Sequence, residues 1–177
     1  YYTKEDITEY ISKNTIIPFF FDETRRNYSK PFSGEDSIWK LLQQNPDDYF
    51  YDAVKKGCDK PLPDHIEVGV DPNAPDLFER RKDWNRLADE EFALPTEIWR
   101  EVVARRQRYQ EVKTSMQNGE IESINDLITY NLNIRQFTLD VIKETNDHEL
   151  VKKMWKAVNS MSAVSYTHLT LPTKRIV

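Results

Sequence analysis

The sequence predicts a mostly α-helical protein, an irregular bundle of about seven or eight helices with at most a small two-stranded element. Three observations lead to this fold class. Apolar residues recur three and four positions apart in most of the chain, as they do on one face of a helix. Helix-capping residues stand just before several of these stretches. Residues 96–161 contain four such stretches with short links, which is enough to close a bundle.

Composition limits the class of protein. The 177 residues suffice for one domain, or one and a piece of another. No apolar run approaches the length of a membrane span, so we expect no membrane contact. The single cysteine, Cys58, excludes an internal disulfide and favours a reducing, cytoplasmic location. The four glycines are far apart, which excludes a glycine-rich phosphate loop.

The first segment, residues 1–57, is predicted to be helical with one edge strand. A short helix opens it, and three apolar residues should form its buried side: Ile7, Tyr10 and Ile11. The apolar run 15–21 suits a strand, but Pro18 lacks a donor and restricts that strand to a sheet edge. Capping residues Ser33 and Asn45 begin two further helices, which we expect to pair as an αα-hairpin.

The second segment, residues 58–76, is a proline-rich connection. Its prolines leave room for one short strand, residues 65–70, with Ile66, Val68 and Val70 on one face. We expect this connection to be a boundary or an ordered functional loop.

The third segment, residues 77–163, is predicted to be a helical bundle around one long helix over residues 96–118. Thr96 is its expected N-cap. Its apolar register is Ile98, Val102, Tyr109, Val112 and Met116, interrupted by a single polar residue, Arg105. In the segment before the long helix, four apolar residues have helical spacing and are predicted to face inward: Leu77, Trp84, Leu87 and Ala88. Ser123 and Asn133 cap shorter helices after it.

The last segment, residues 164–177, is expected not to belong to the native protein. Its first ten residues, 164–173, resemble one reading frame of a transposase-type DNA sequencing adapter. We therefore expect residues 1–163 to be a fragment of a larger protein. The chain has 25 basic and 30 acidic residues, a formal net charge of −5, and without Lys174 and Arg175 it has −7. Such an acidic chain disfavours nucleic acid as a partner.

The leading functional hypothesis is a non-catalytic helical interaction module of an intracellular protein, with no cofactor. Four arginines on the long helix form the candidate binding face: Arg100, Arg105, Arg106 and Arg108. Guanidinium groups can bind the oxyanions of an acidic partner in a bidentate manner. The partner would be another protein, the rest of the parent chain or, against the net charge, nucleic acid. The competing interpretation is a solvated face with helical ion pairs.

The alternative hypothesis is a metalloenzyme fragment. On a strand, His65 and Glu67 would share one face, as ligands of a divalent metal would require. Residues 68–73 resemble the first strand of RNase H-like nucleases, and this resemblance implies that Asp71 binds a metal for phosphodiester cleavage. An exposed polar strand face and an ordinary Asp-Pro turn explain the same residues.

Overall fold

A computed structural model describes residues 7, 10–11, 14–15, 17–144 and 148–154 of the chain. The α-helices are α1 (Ile17–Asn27), α2 (Lys40–Gln44), α3 (Asp52–Lys55), α4 (Asp64–Glu67), α5 (Leu77–Arg80), α6 (Trp99–Gln117), α7 (Ile124–Thr129) and α8 (Ile134–Glu144). Lys30–Phe32 and Pro46–Tyr49 are 3₁₀ helices, and residues 148–154 are helical. The predicted mostly helical class is confirmed.

The predicted two-stranded element is absent from the described residues. Their one element of β-pairing is an isolated antiparallel bridge between Leu87 and Ile98. The run 15–21 was wrongly predicted as a strand, because α1 begins at Ile17. Pro18 stands in the first turn of that helix, where a missing N–H costs nothing. Ile17, Phe21 and Thr24 are buried at helical spacing.

Further local predictions were wrong. The helix expected to begin at Ser33 begins at Lys40, and the helix expected after Asn45 is a 3₁₀ helix, Pro46–Tyr49, followed by the short α3, so the predicted αα-hairpin does not form.

Residues 64–67 form helix α4 rather than part of a strand, and Ile66 is fully buried while Val68 is 46% exposed, so these residues do not share a face. Ile7, Tyr10 and Ile11 lie in helical turns but are 50%, 67% and 49% exposed instead of buried. Periodicity finds an apolar face but does not show what that face contacts.

The chain divides into two compact units, described separately below: Tyr1–Tyr49 with Met116–Val177, and Phe50–Ser115. The predicted segment boundaries stay predictions. The adapter-like residues 164–177 lie outside the described part of the chain.

An aromatic cluster forms the core of the first unit. Phe137 of α8 is fully buried and lies parallel to Trp39 at 5.4 Å between ring centroids. Phe21 of α1 stacks on Phe137 at 6.4 Å, and Tyr49 meets its edge at 5.8 Å. Aromatic pairs of this kind each contribute about 0.5–1.5 kcal/mol beyond their buried area. The cluster therefore joins α1 and α8 to the segment around α2.

Caps predicted from sequence fix the helices of this unit. The Ser123 hydroxyl accepts from Asp126 N–H at 3.2 Å at the start of α7. Asn133 Oδ1 accepts from Gln136 N–H at 3.0 Å at the start of α8. Each cap satisfies an amide that the helix leaves without a partner, so the short links between these helices are well defined.

The core of the Phe50–Ser115 unit gathers around two tryptophans. Its buried members are Ile66, Trp84, Phe92, Ala93, Trp99, Val102 and Val103. Trp84 Nε1 donates to the Ile66 carbonyl at 3.2 Å, which satisfies the polar atom of an otherwise apolar ring. This bond holds α4 against the segment that contains Trp84.

Helix α6 begins three residues later than its predicted cap. Thr96 has φ 68° and lies outside the helix, which starts at Trp99. Glu101 instead reaches back, and its carboxylate accepts from Ile98 N–H at 3.0 Å. This bond is the acidic half of a capping box, and it satisfies an amide at the helix start without a serine or threonine.

Candidate functional site

Arg105 of α6 is a structural centre of the Phe50–Ser115 unit. Its side chain is 13% exposed, and all five of its N–H groups have acceptors. They donate to Glu97 Oε1 and Oε2 at 2.9 and 3.0 Å and to the carbonyls of Val54, Lys56 and Phe92 at 3.1, 2.7 and 2.8 Å. The guanidinium therefore ties α6 to two distant segments of chain.

Arg106 extends the same arrangement. Its two terminal nitrogens donate to the carbonyls of Gly57 and Lys60, both at 2.6 Å. Gly57 has φ 69°, and a Cβ there would lie 2.6 Å from Phe92 Cα. The turn after α3 is therefore held by hydrogen bonds from Arg105 and Arg106 and by the close packing of Gly57 on the backbone of Phe92.

Glu97 provides the negative charge in this cluster. Its side chain is 11% exposed, and Leu94 N–H donates to Oε2 at 2.8 Å. Burial raises the pKa of the Glu97 carboxyl, but the hydrogen bonds from Arg105 and Leu94 and the charge of Arg105 together hold that pKa below its usual value. Arg105 and Glu97 thus form a charged pair that remains ionised at neutral pH.

The four arginines of the predicted binding face differ in what they contact. Arg105 and Arg106 are directed at backbone carbonyls within their own unit. Arg100 is exposed, and Arg108 is 58% exposed with a long contact of 3.6 Å to Glu111. The arginine binding face stays a prediction, and it rests on Arg100 and Arg108.

The residues predicted to bind a metal do not have the arrangement that the metalloenzyme hypothesis requires. His65 and Glu67 belong to α4, where two positions are about 200° apart around the helix instead of on one face. The His65 ring meets Trp99 edge-on at 6.1 Å. Asp71 Oδ1 accepts from Asn73 N–H at 2.9 Å, as in an ordinary turn. Among the described residues no three His, Cys, Asp or Glu side chains could hold a metal ion together.

Cys58 lies beside the arginine cluster. Its Sγ is 3.5 Å from the Val54 carbonyl. Burial raises the pKa of the Cys58 thiol above its ordinary value, although Arg105 and Arg106 act in the opposite direction. A raised pKa keeps the thiol protonated and weakly nucleophilic at neutral pH.

Sequence reasoning missed a surface formed by residues 66–70 and 77–87, which hydrogen bonds join and which we call the platform. Arg80 Nε donates to the Pro75 carbonyl at 2.8 Å, and Arg80 Nη1 lies 3.4 Å from the Val68 carbonyl. Arg81 Nε donates to the Gly69 carbonyl at 2.8 Å, while its guanidinium lies 4.4 Å from the centre of the Trp84 ring. These contacts join the two stretches of the platform and fix α5 on the core.

The platform exposes three large apolar side chains. Phe78 is 88% exposed, Leu87 69% and Val68 46%. Helical spacing predicted Leu87 on the inner side, but the bridge to Ile98 holds its backbone in an extended conformation and turns the side chain to solvent. One feature of the sequence indicates that Phe78 is exposed. It is an aromatic residue in a charged segment, and it is not among the positions that helical spacing predicts to face inward.

No described helix is both long and apolar enough to cross a membrane. No protein-family model, curated protein or solved structure matches this chain.

Proposed function

We propose that the chain is a non-catalytic interaction module and that the platform binds a protein partner with Phe78 as its anchor. The observation that carries this proposal is the 88% exposure of Phe78 on a segment that arginine hydrogen bonds hold in place. Aromatic residues dominate the energetics of protein interfaces when they enter a pocket on the partner.

The energetics favour binding at this position. Full burial of one phenylalanine side chain contributes about 1.5–3 kcal/mol. Single exposed apolar residues are common on protein surfaces, but Phe78 shares a fixed backbone framework with exposed Val68. Because this framework is already ordered, association loses little conformational entropy there.

The charge of α6 supports a protein rather than a nucleic acid as the partner. Arg100 and Arg108 are exposed on this helix, and so are Glu101 and Glu111. This surface is balanced in charge, whereas polyanion binding needs an excess of cations.

Photo-crosslinking tests the proposal. A benzophenone amino acid replaces Phe78 in one variant and Arg100 in a control variant, since both side chains are exposed in the same unit. After irradiation in the source cells, the variant at position 78 should be cross-linked to one specific protein. That partner, once purified, should bind the chain without the benzophenone. Equal, diffuse labelling from both positions contradicts the proposal.

A further inference from the structure

The long helix α6 is followed by an asparagine–glycine pair, Asn118 and Gly119. This is the one place in the sequence where glycine follows asparagine. Asparagine is a thermolabile residue, and a following glycine increases its reactivity because no side chain hinders the approach of the glycine nitrogen to the asparagine side chain. Asn118 is exposed, so water and hydroxide reach its side-chain amide. The reactants of a spontaneous deamidation are therefore adjacent in the chain.

The folded backbone opposes this reaction. Gly119 has φ 74°, and its N–H donates to the Met116 carbonyl at 3.1 Å, so a left-handed residue caps the C-terminal end of α6. Asn118 Nδ2 donates to Glu120 Oε1 at 3.2 Å, which orients the side-chain amide. The Gly119 nitrogen must release the Met116 carbonyl before it can attack the Asn118 side chain. The reaction therefore requires that the cap opens.

A residue of α2 packs on this cap. A Cβ added to Gly119 would collide with Gln43 Nε2, so the Gln43 side chain covers the glycine directly. Ile121, which is 2% exposed, anchors the chain two residues after Gly119. Local opening of a native protein becomes rarer as the opened segment gives up more contacts. The contact with Gln43 therefore helps to determine how often the Gly119 nitrogen becomes reactive.

We propose that Asn118 is a site of spontaneous deamidation and that the cap of α6 controls its rate. Hydroxide takes the amide proton of Gly119, whose nitrogen bonds to Asn118 Cγ; the Cγ–Nδ2 bond breaks, and ammonia leaves with a proton from water. Water then opens the cyclic imide to aspartate or isoaspartate. Either product adds a negative charge at the negative end of the α6 dipole, next to Glu120. Each molecule thus changes once to a form with a weaker cap.

Peptide mapping by mass spectrometry tests the proposal on the full chain. After incubation at neutral pH and physiological temperature, conversion of amide to acid should occur chiefly at Asn118 and give both aspartate and isoaspartate. A synthetic peptide of residues 114–122 lacks the folded cap and should convert at least about twofold faster, the factor that corresponds to the smallest net contribution of one hydrogen bond. Equal rates in peptide and chain, or conversion in the peptide alone, overturn the proposal.

A variant pair in α2 tests the control by the cap. Gln43→Ala removes the side chain that covers Gly119 and should accelerate conversion at Asn118 roughly two- to fivefold. Gln44→Ala is the matched control, since Gln44 is an exposed glutamine of the same helix, and it should leave the rate unchanged. Equal rates in the two variants contradict the control by the cap. Thermal melts confirm folding, and the comparison with the peptide needs neither variant.

The effect of the product on the cap is measured separately. Asn118→Asp carries the charge of the product and should lower the melting temperature. Asn125→Asp is the control, because it makes the same change in net charge at an exposed residue in the first turn of α7, where the positive end of the helix dipole offsets the charge. If Asn118→Asp melts no lower than Asn125→Asp, the inference that deamidation weakens the cap is wrong. None of these outcomes depends on the proposed function.

Discussion

Truncation of Arg105 should destabilise the chain more than any other arginine substitution on α6. Arg105→Ala removes five hydrogen bonds, so three carbonyls and the Glu97 carboxylate lose the guanidinium as a donor. Glu97 is 11% exposed, so water cannot fully replace the guanidinium.

The expected loss follows from this burial. Breaking a buried ion pair by removing one partner costs about 3–5 kcal/mol. Natural domains have a free energy of unfolding of only about 5–15 kcal/mol. We therefore expect Arg105→Ala to remove roughly a fifth or more of the stability of the Phe50–Ser115 unit.

Urea denaturation followed by tryptophan fluorescence measures this loss, because Trp84 and Trp99 are both buried in that unit. Arg100→Ala is the control, since Arg100 is an exposed arginine on the same helix and its loss should change stability by at most about 0.5 kcal/mol. A cost below about 1 kcal/mol for Arg105→Ala, the range of an exposed pair, would refute the structural role of the cluster.

Three further predictions concern backbone and charge. Gly57→Ala should lower the free energy of unfolding by clearly more than the roughly 1–2 kcal/mol expected for left-handed backbone alone, since the new Cβ would meet Phe92 Cα. Gly34→Ala is the control: Gly34 has φ 87° and open space around it, so the loss there should be about 1–2 kcal/mol. Equal shifts in melting temperature for the two variants would contradict the role of the Phe92 contact. Thr96→Gly should raise the melting temperature by relieving left-handed strain at a β-branched residue, and a lower melting temperature would count against it. Because the pKa of Glu97 is lowered on folding, its stabilisation is present above the unfolded pKa of about 4.3 and is lost as pH falls through the lower folded value. The urea midpoint should therefore fall on acidification, and less steeply in Glu97→Gln; identical slopes would exclude this contribution.

Local signals in the sequence predicted much of the helical structure. The caps at Ser123 and Asn133 act within three residues, so the sequence alone identifies them. The run 15–21 was misread because Pro18 excludes the middle of a sheet yet fits the first turn of a helix equally well. Short apolar runs do not distinguish these two outcomes.

The site was harder to predict because its contacts are distant in sequence. Arg105 stood out as the one polar residue in an apolar register, but two of its acceptors, Val54 and Lys56, are about fifty positions away. A guanidinium that bonds to carbonyls looks the same in sequence as one that faces solvent. The exposure of Phe78 likewise depends on how Arg80 and Arg81 orient α5, and no spacing rule describes this.

The most direct measurement for the proposed function is the affinity of the cross-linked partner, once purified, for the wild-type chain and for Phe78→Ala. Loss of a buried phenylalanine contact of about 1.5–3 kcal/mol corresponds to a rise in Kd of roughly ten- to a hundredfold or more. Isothermal titration calorimetry should give this rise for Phe78→Ala and a change within about twofold for Arg100→Ala. Equal Kd values for wild type and Phe78→Ala would contradict the assignment of Phe78 as the anchor.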